Sequence, residues 1–356
     1  MRNRKLSVLY SVLCTILLVG GFVLVFALAW QAGTKETVYA LVGMVAGCLL
    51  APIYHEFGHV AMAQAMKMDC VYVKCFCFKI SLKKGKKRFS FASPFAADET
   101  QAVPKTGGNM QKRALVYTLG GLIFGGFWLF VVLAAAIVCG CLGVTRYELW
   151  GGVPYAAYLF LLNLMPLEYA SGKTDMLVFI GLKKGYDAEK NMLAAMEIQG
   201  ELYEGKTFAE IEECHYYDVP QLCEEEPLYA VMLDLRYHYH LEKDELDKAA
   251  DCLNRLAKSQ EYLSEPELLS VAAELTYMHS LNGNLEAAED SAKLCCEYLK
   301  SETLQAKRVL LAYSLAANKM EALPVLREQA EACAAYERIE GVRKSEEILL
   351  SRLKIE

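Results

Sequence analysis

Histidine is scarce in this chain: six among 356 residues, and only two before residue 215. Those two, His55 and His59, therefore carry weight. Order is missing among the cysteines. All 13 are scattered, and Cys75-Phe76-Cys77 and Cys139-Gly140-Cys141 lack zinc-ribbon spacing. This excludes a disulfide scaffold and reads them as reduced structural thiols. A basic balance is also lacking, since the formal net charge is -6, and no nucleic-acid partner is expected. Acidic residues are sparse between residues 67 and 113, where eleven Lys and Arg face only Asp69, Asp98 and Glu99.

What is present is long apolar sequence. Mean hydropathy is +0.20 and 54% of residues are hydrophobic, but these averages join two unlike halves. Up to about residue 185 apolar runs dominate. Beyond it the chain is acidic and rich in Leu, Ala, Glu and Lys. Four spanning helices are expected, at about 7–30, 37–54 continuing helically to near 66, 114–142 and 153–166, the last with an apolar continuation over 175–182. The first follows Arg2, Arg4 and Lys5. Ala27-Leu28-Ala29 resembles a cleavage site, but the apolar stretch is longer than a signal peptide needs. The basic segment 67–113 orients the chain with its N-terminus, that segment and the C-terminal half in the cytoplasm.

Within the second apolar run stands His55-Glu56-Phe57-Gly58-His59. On a helix the two histidines lie one turn apart on one face, where neutral imidazoles can share a zinc ion. Glu56 sits beside that face and can take a proton from water. Ionisable groups buried in a span are costly and usually functional. A third zinc ligand is needed, and the end of the fourth run offers Glu168 and Asp175. Asp175 can instead cap the helix that it opens.

Residues 71–95 read as a β-hairpin with a basic turn around Gly85. Its lysines can be a solvated turn or can touch anionic lipid headgroups. Residues 98–109 read as a polar loop. Gly121 and Gly125 form a small-xxx-small pair that admits a close helix. His238-Tyr239-His240 does not share an ion, because residues two apart do not share a helix face. His215 and His279 read as ordinary histidines. Beyond about residue 189, similar stretches at 246–253, 285–292 and 320–326 each follow a helix, spaced close to the tetratricopeptide period. Such stacks usually bind a peptide or protein.

His55-Glu-Phe-Gly-His59 together with Asn163-Leu-Met-Pro166 resembles the site-2 protease family of intramembrane zinc metalloproteases. The resemblance covers roughly residues 37–182. It implies that His55, His59 and an acidic residue bind zinc, that Glu56 is the acid/base, and that Asn163, in the motif closed by Pro166, helps hold the substrate strand or oxyanion. The Leu-Asp-Gly that normally follows is absent, and Asp175 lies farther on. Gly-Pro-x-x-Asn in the third span is absent too. The expected fold is an all-α polytopic membrane protein of about four transmembrane helices with a small β-hairpin insert, plus a cytoplasmic α-helical, tetratricopeptide-like repeat domain. Its parts are an N-terminal transmembrane helix (1–36), a metalloprotease core (37–185) and the repeats (186–356). The expected activity is zinc-dependent hydrolysis of a peptide bond in or near a transmembrane segment of a membrane-anchored protein or signal-peptide remnant, in the bilayer, with a possible cytoplasmic partner on the repeats. The rival reading is a non-proteolytic scaffold that recruits such a partner.

Overall fold

The computed structural model describes residues 4–83, 86–91, 98–106, 108–169 and 172–353. It is 73% helical and divides into two compact units. One holds residues up to Val103 with Asn109–Tyr186. The other holds Pro104–Gly108 and the chain from Asp187 onward.

The first unit is built on α1 (Arg4–Ala32) and α2 (Thr34–Ala65). A small sheet follows, with β1 (Met68–Cys75), β2 (Phe78–Lys83), β3 (Lys86–Phe91) and β4 (Glu99–Pro104). Then come α3 (Met110–Cys141), α4 (Tyr147–Leu164), the two-residue strands β5 (Glu168–Tyr169) and β6 (Gly172–Lys173), and α5 (Asp175–Lys184). Among the described residues three helices, α1, α2 and α3, are long and apolar enough to cross a membrane. At 32 residues each, α2 and α3 extend about 48 Å, beyond a hydrocarbon core of about 30 Å. The expected fourth span is α4, which has 18 residues, Glu148 in its first turn and Pro154 inside; it is not among those three.

Glycine sets how closely these helices pack. A Cβ added at Gly58 of α2 would lie 2.2 Å from the Gly120 carbonyl oxygen of α3, and one at Gly47 would lie 2.6 Å from Gly152 Cα of α4. Backbone therefore meets backbone along both faces of α2, as small residues permit in apolar surroundings. Asn109 caps α3, its side chain accepting from the Lys112 amide at 2.9 Å.

The sheet corrects two expectations. Residues 71–82 do not form one arm of a hairpin; they turn at Phe76 and supply β1 and β2. The order is β3-β2-β1-β4, with β1/β2 and β2/β3 antiparallel. Phe76 adopts the left-handed conformation (φ 54°), and its amide donates to Asp98 Oδ1 at 2.6 Å. That bond comes from a distant residue, so no local Gly or Asn marks the turn. The second correction is β4, which lies in the expected polar loop: Glu99-Thr-Gln-Ala-Val-Pro104 lacks a strand-like composition. The basic turn at Gly85 lies outside the described residues.

The second unit is helical. It comprises α6 (Asp187–Tyr203), α7 (Cys214–Tyr217), α8 (Pro227–Glu242), α9 (Leu246–Lys258), α10 (Glu265–Leu281), α11 (Leu285–Leu294), α12 (Cys296–Leu299), α13 (Leu304–Ala316), α14 (Leu323–Ala334) and α15 (Glu340–Arg352). Consecutive helices pair: α8 with α9, α10 with α11, α13 with α14. Tyr237, Leu253, Tyr277, Val309 and Leu349 belong to one continuous core. Through it runs a buried ion network. Arg308, 0% exposed, donates to Glu274 and Glu346 at 2.6 Å each and lies 4.1 Å from the Tyr277 ring centre. The Tyr237 hydroxyl donates to Glu274 at 2.6 Å. One guanidinium thus ties α10, α13 and α15 together, and Tyr237 adds α8. Burial pushes the Glu274 carboxyl up, but the Arg308 guanidinium and the hydrogen bonds donated by Tyr237 and Gln305 together outweigh it and hold it below its usual range.

Candidate metal centre

His55 and His59 lie on α2 one turn apart, both buried. Asp175, the first residue of α5, completes a cluster in which the three ligand atoms lie within 4.8 Å of one another. Asp175 Oδ2 is 3.3 Å from His55 Nε2 and 3.4 Å from His59 Nε2. It is buried and has no hydrogen-bond partner. An orphaned carboxylate oxygen between two imidazole nitrogens is costly unless a cation joins them. The spacing suits one: ligands about 2.0–2.1 Å from a tetrahedral zinc stand about 3.3 Å apart.

Each ligand is aimed by its surroundings. His59 Nδ1 lies 3.0 Å from the Tyr117 carbonyl. A carbonyl only accepts, so Nδ1 carries a proton, and in the neutral imidazole this leaves the Nε2 lone pair facing the cluster. Gly121, on the next turn of α3, leaves the room. A Cβ there would lie 2.4 Å from His59 Nε2 and 2.7 Å from His55 Nε2. Thr174 positions Asp175. Its hydroxyl caps α5 by accepting from the Leu177 amide at 3.3 Å, and it donates to the Met165 carbonyl at 2.7 Å. Helix capping therefore falls to Thr174 and leaves the Asp175 carboxylate available. Gln111 of α3 donates to the Leu182 carbonyl at 3.0 Å and fastens α5.

Glu56 is buried, and its Oε2 accepts from the Thr100 hydroxyl at 2.7 Å. The Thr100 carbonyl in turn accepts from the Tyr117 hydroxyl. Tyr117 thus joins β4 to the His59 side of the cluster. Sequence reasoning missed both residues. Tyr117 carries a signal, since it precedes Gly121 by one helical turn on the same face. Thr100 carries none.

The remaining candidates stand apart. Glu168 is exposed on β5, paired with Lys173, and is not part of the cluster. Asn163 is half-buried near the end of α4 and donates to its own Leu159 carbonyl at 3.2 Å; Pro166 follows, also half-buried. In the helical unit His238 lies 3.8 Å from Asp234 and stacks on Phe208, while His240 bonds Glu245 at 2.6 Å. His215, read as an ordinary histidine, lies beside exposed Glu212 and Cys214.

What the first cluster offers chemically is two imidazole nitrogens, one carboxyl group and an adjacent second carboxyl on a hydroxyl leash. No family model, curated protein or solved structure matches this chain.

Proposed function

We propose that this chain is an intramembrane zinc metallopeptidase of the site-2 protease type. The observation that carries the reading is Asp175 Oδ2, buried without a hydrogen-bond partner between His55 Nε2 and His59 Nε2. His55, His59 and Asp175 would hold zinc, which when bound supplies a Lewis acid that activates water and polarises a carbonyl. Glu56 takes the proton from the attacking water and returns it to the leaving amine. Thr100 holds that carboxylate in place. Asn163 and Pro166, at the end of α4, border the substrate strand.

Depth within the bilayer favours the same chemistry. About 32 Å of helix separates Thr34 from His55, so a span starting at Thr34 brings the cluster to the far edge of a hydrocarbon core about 30 Å thick. With α4 as a fourth span and the basic segment inside, that edge is the cytoplasmic one. The substrate is a membrane-anchored protein or signal-peptide remnant cut near that face. The paired helices of the second unit act as tetratricopeptide-like repeats that bind a cytoplasmic protein. The missing Leu-Asp-Gly favours the rival scaffold reading; the place that Asp175 occupies offsets it.

Zinc content of the purified full chain tests the metal centre. The wild type and Glu168→Ala should carry about one ion per chain, as a single three-ligand site requires, and Asp175→Ala should carry little. A metal-free wild type, or loss in Glu168→Ala with retention in Asp175→Ala, overturns the assignment.

A further inference from the structure

The sheet has its apolar side outward. The β2/β3 register pairs Phe78 with Phe91 and Ile80 with Phe89. Strand side chains alternate between faces, so these four share one face. They are exposed by 45%, 78%, 48% and 57% in that order. The three phenylalanine rings touch, with centroids 5.4–5.7 Å apart. The opposite face is polar and packed. Lys74 is buried 3.9 Å from Asp98, Lys79 Nζ lies 3.6 Å from the Tyr72 ring centre, and the Tyr72 hydroxyl donates to Glu99 at 2.7 Å. A sheet in water has the reverse polarity. An exposed aromatic face on the edge strand β3 invites aggregation unless something apolar covers it.

We propose that this face seats in the boundary between headgroups and acyl chains of an anionic lipid monolayer. The proposal rests on the membrane-spanning reading above. Two observations select lipid. The sheet is tethered at a span, with only Met66 and Lys67 between α2 and β1. Residues 79–88 also carry Lys79, Lys83, Lys84, Lys86, Lys87 and Arg88 with no acidic residue. A basic stretch of sequence joining two strands with an apolar face suits an anionic leaflet, where each cation adds attraction near the surface. The same sheet carries β4 and therefore Thr100, the hydroxyl on Glu56. Lipid seating fixes the height of β4 at the bilayer surface and makes the Glu56 arrangement sensitive to lipid charge.

The test uses the full chain in nanodiscs of phosphatidylcholine, with and without phosphatidylserine. Phe89→Trp is compared with the wild type, and Phe78→Trp serves as a second reporter on the same face. The added emission should be quenched by lipids brominated near the headgroup end of the acyl chain and spared by aqueous acrylamide, more so with phosphatidylserine and less at high salt. Quenching by acrylamide alone overturns the proposal. So does emission spared by both quenchers, which places another protein surface over the face. Native Trp30, exposed on α1, separates the two readings through the emission removed by Trp30→Phe. Bromolipid quenching at Trp30 but not at residue 89 sinks the hairpin proposal alone. No quenching at either position removes the membrane reading as well.

Discussion

Gly121 of α3 lies against His59 of α2 so closely that a Cβ at position 121 would stand 2.4 Å from His59 Nε2. The space between these two helices at the candidate centre therefore depends on the side chain that Gly121 lacks. Gly121→Ala should weaken metal binding by about 10–100-fold, the scale for disturbing a metal's surroundings. Gly125→Ala is the control, since its Cβ would meet His55 Nδ1 at an ordinary 3.5 Å. Zinc titration of both variants checks the contrast. Equal affinities would remove Gly121 from the account.

Thr100 holds the carboxylate that the proposed chemistry moves. Thr100→Val should lower kcat by about 10-fold or more, a fraction of the 100–10,000-fold worth of a positioned acid/base, while leaving zinc content unchanged. Thr100→Ser should restore most of the loss. Because Glu56 is not a ligand of the cluster, a fall in zinc content in Thr100→Val would mean a structural role instead.

Thr174→Ala removes the cap of α5 and the bond to the Met165 carbonyl together. Loss of such a cap costs about 1 kcal/mol. The same change frees Asp175, so zinc affinity should fall by about 10-fold. Thr174→Ser, which keeps the hydroxyl, should behave as wild type in a competitive chelator assay.

The helical unit has its own pH dependence. Burial pushes the Glu274 carboxyl up, and Arg308 together with the hydrogen bonds from Tyr237 and Gln305 outweighs burial and holds it below its usual range. A carboxylate lowered in the folded state adds stability that is complete above its unfolded value of about 4.3 and is lost as pH falls through the folded value. Hydrogen-exchange protection of α10 and α13 in the full chain should therefore drop only in acid. Arg308→Met leaves Glu274 and Glu346 buried and unpaired, and should cost about 3–5 kcal/mol at neutral pH. Arg308→Met combined with Glu274→Gln and Glu346→Gln should recover much of it.

Much of this was legible in the sequence because it is periodic or contiguous. The apolar runs that become α1, α2 and α3 announce themselves by length, and His55 and His59 share a face because one helical turn separates them. The sheet was half legible. Its aromatic and β-branched residues were visible, but the turn at Phe76 depends on Asp98, and β4 has no compositional mark. Thr100 reaches Glu56 only because β4 pairs beside β1. Arg308, Glu274 and Glu346 meet across helices far apart in the chain, and no local pattern encodes that meeting.

The most direct test of the proposed activity is peptide profiling of native membranes carrying the wild type or Glu56→Gln. That change keeps the clustered His55, His59 and Asp175 and removes only the base. The account predicts that a membrane-anchored precursor accumulates in the Glu56→Gln membranes and that its fragment disappears. Matching profiles across several growth conditions, with both proteins present in equal amount, would contradict it.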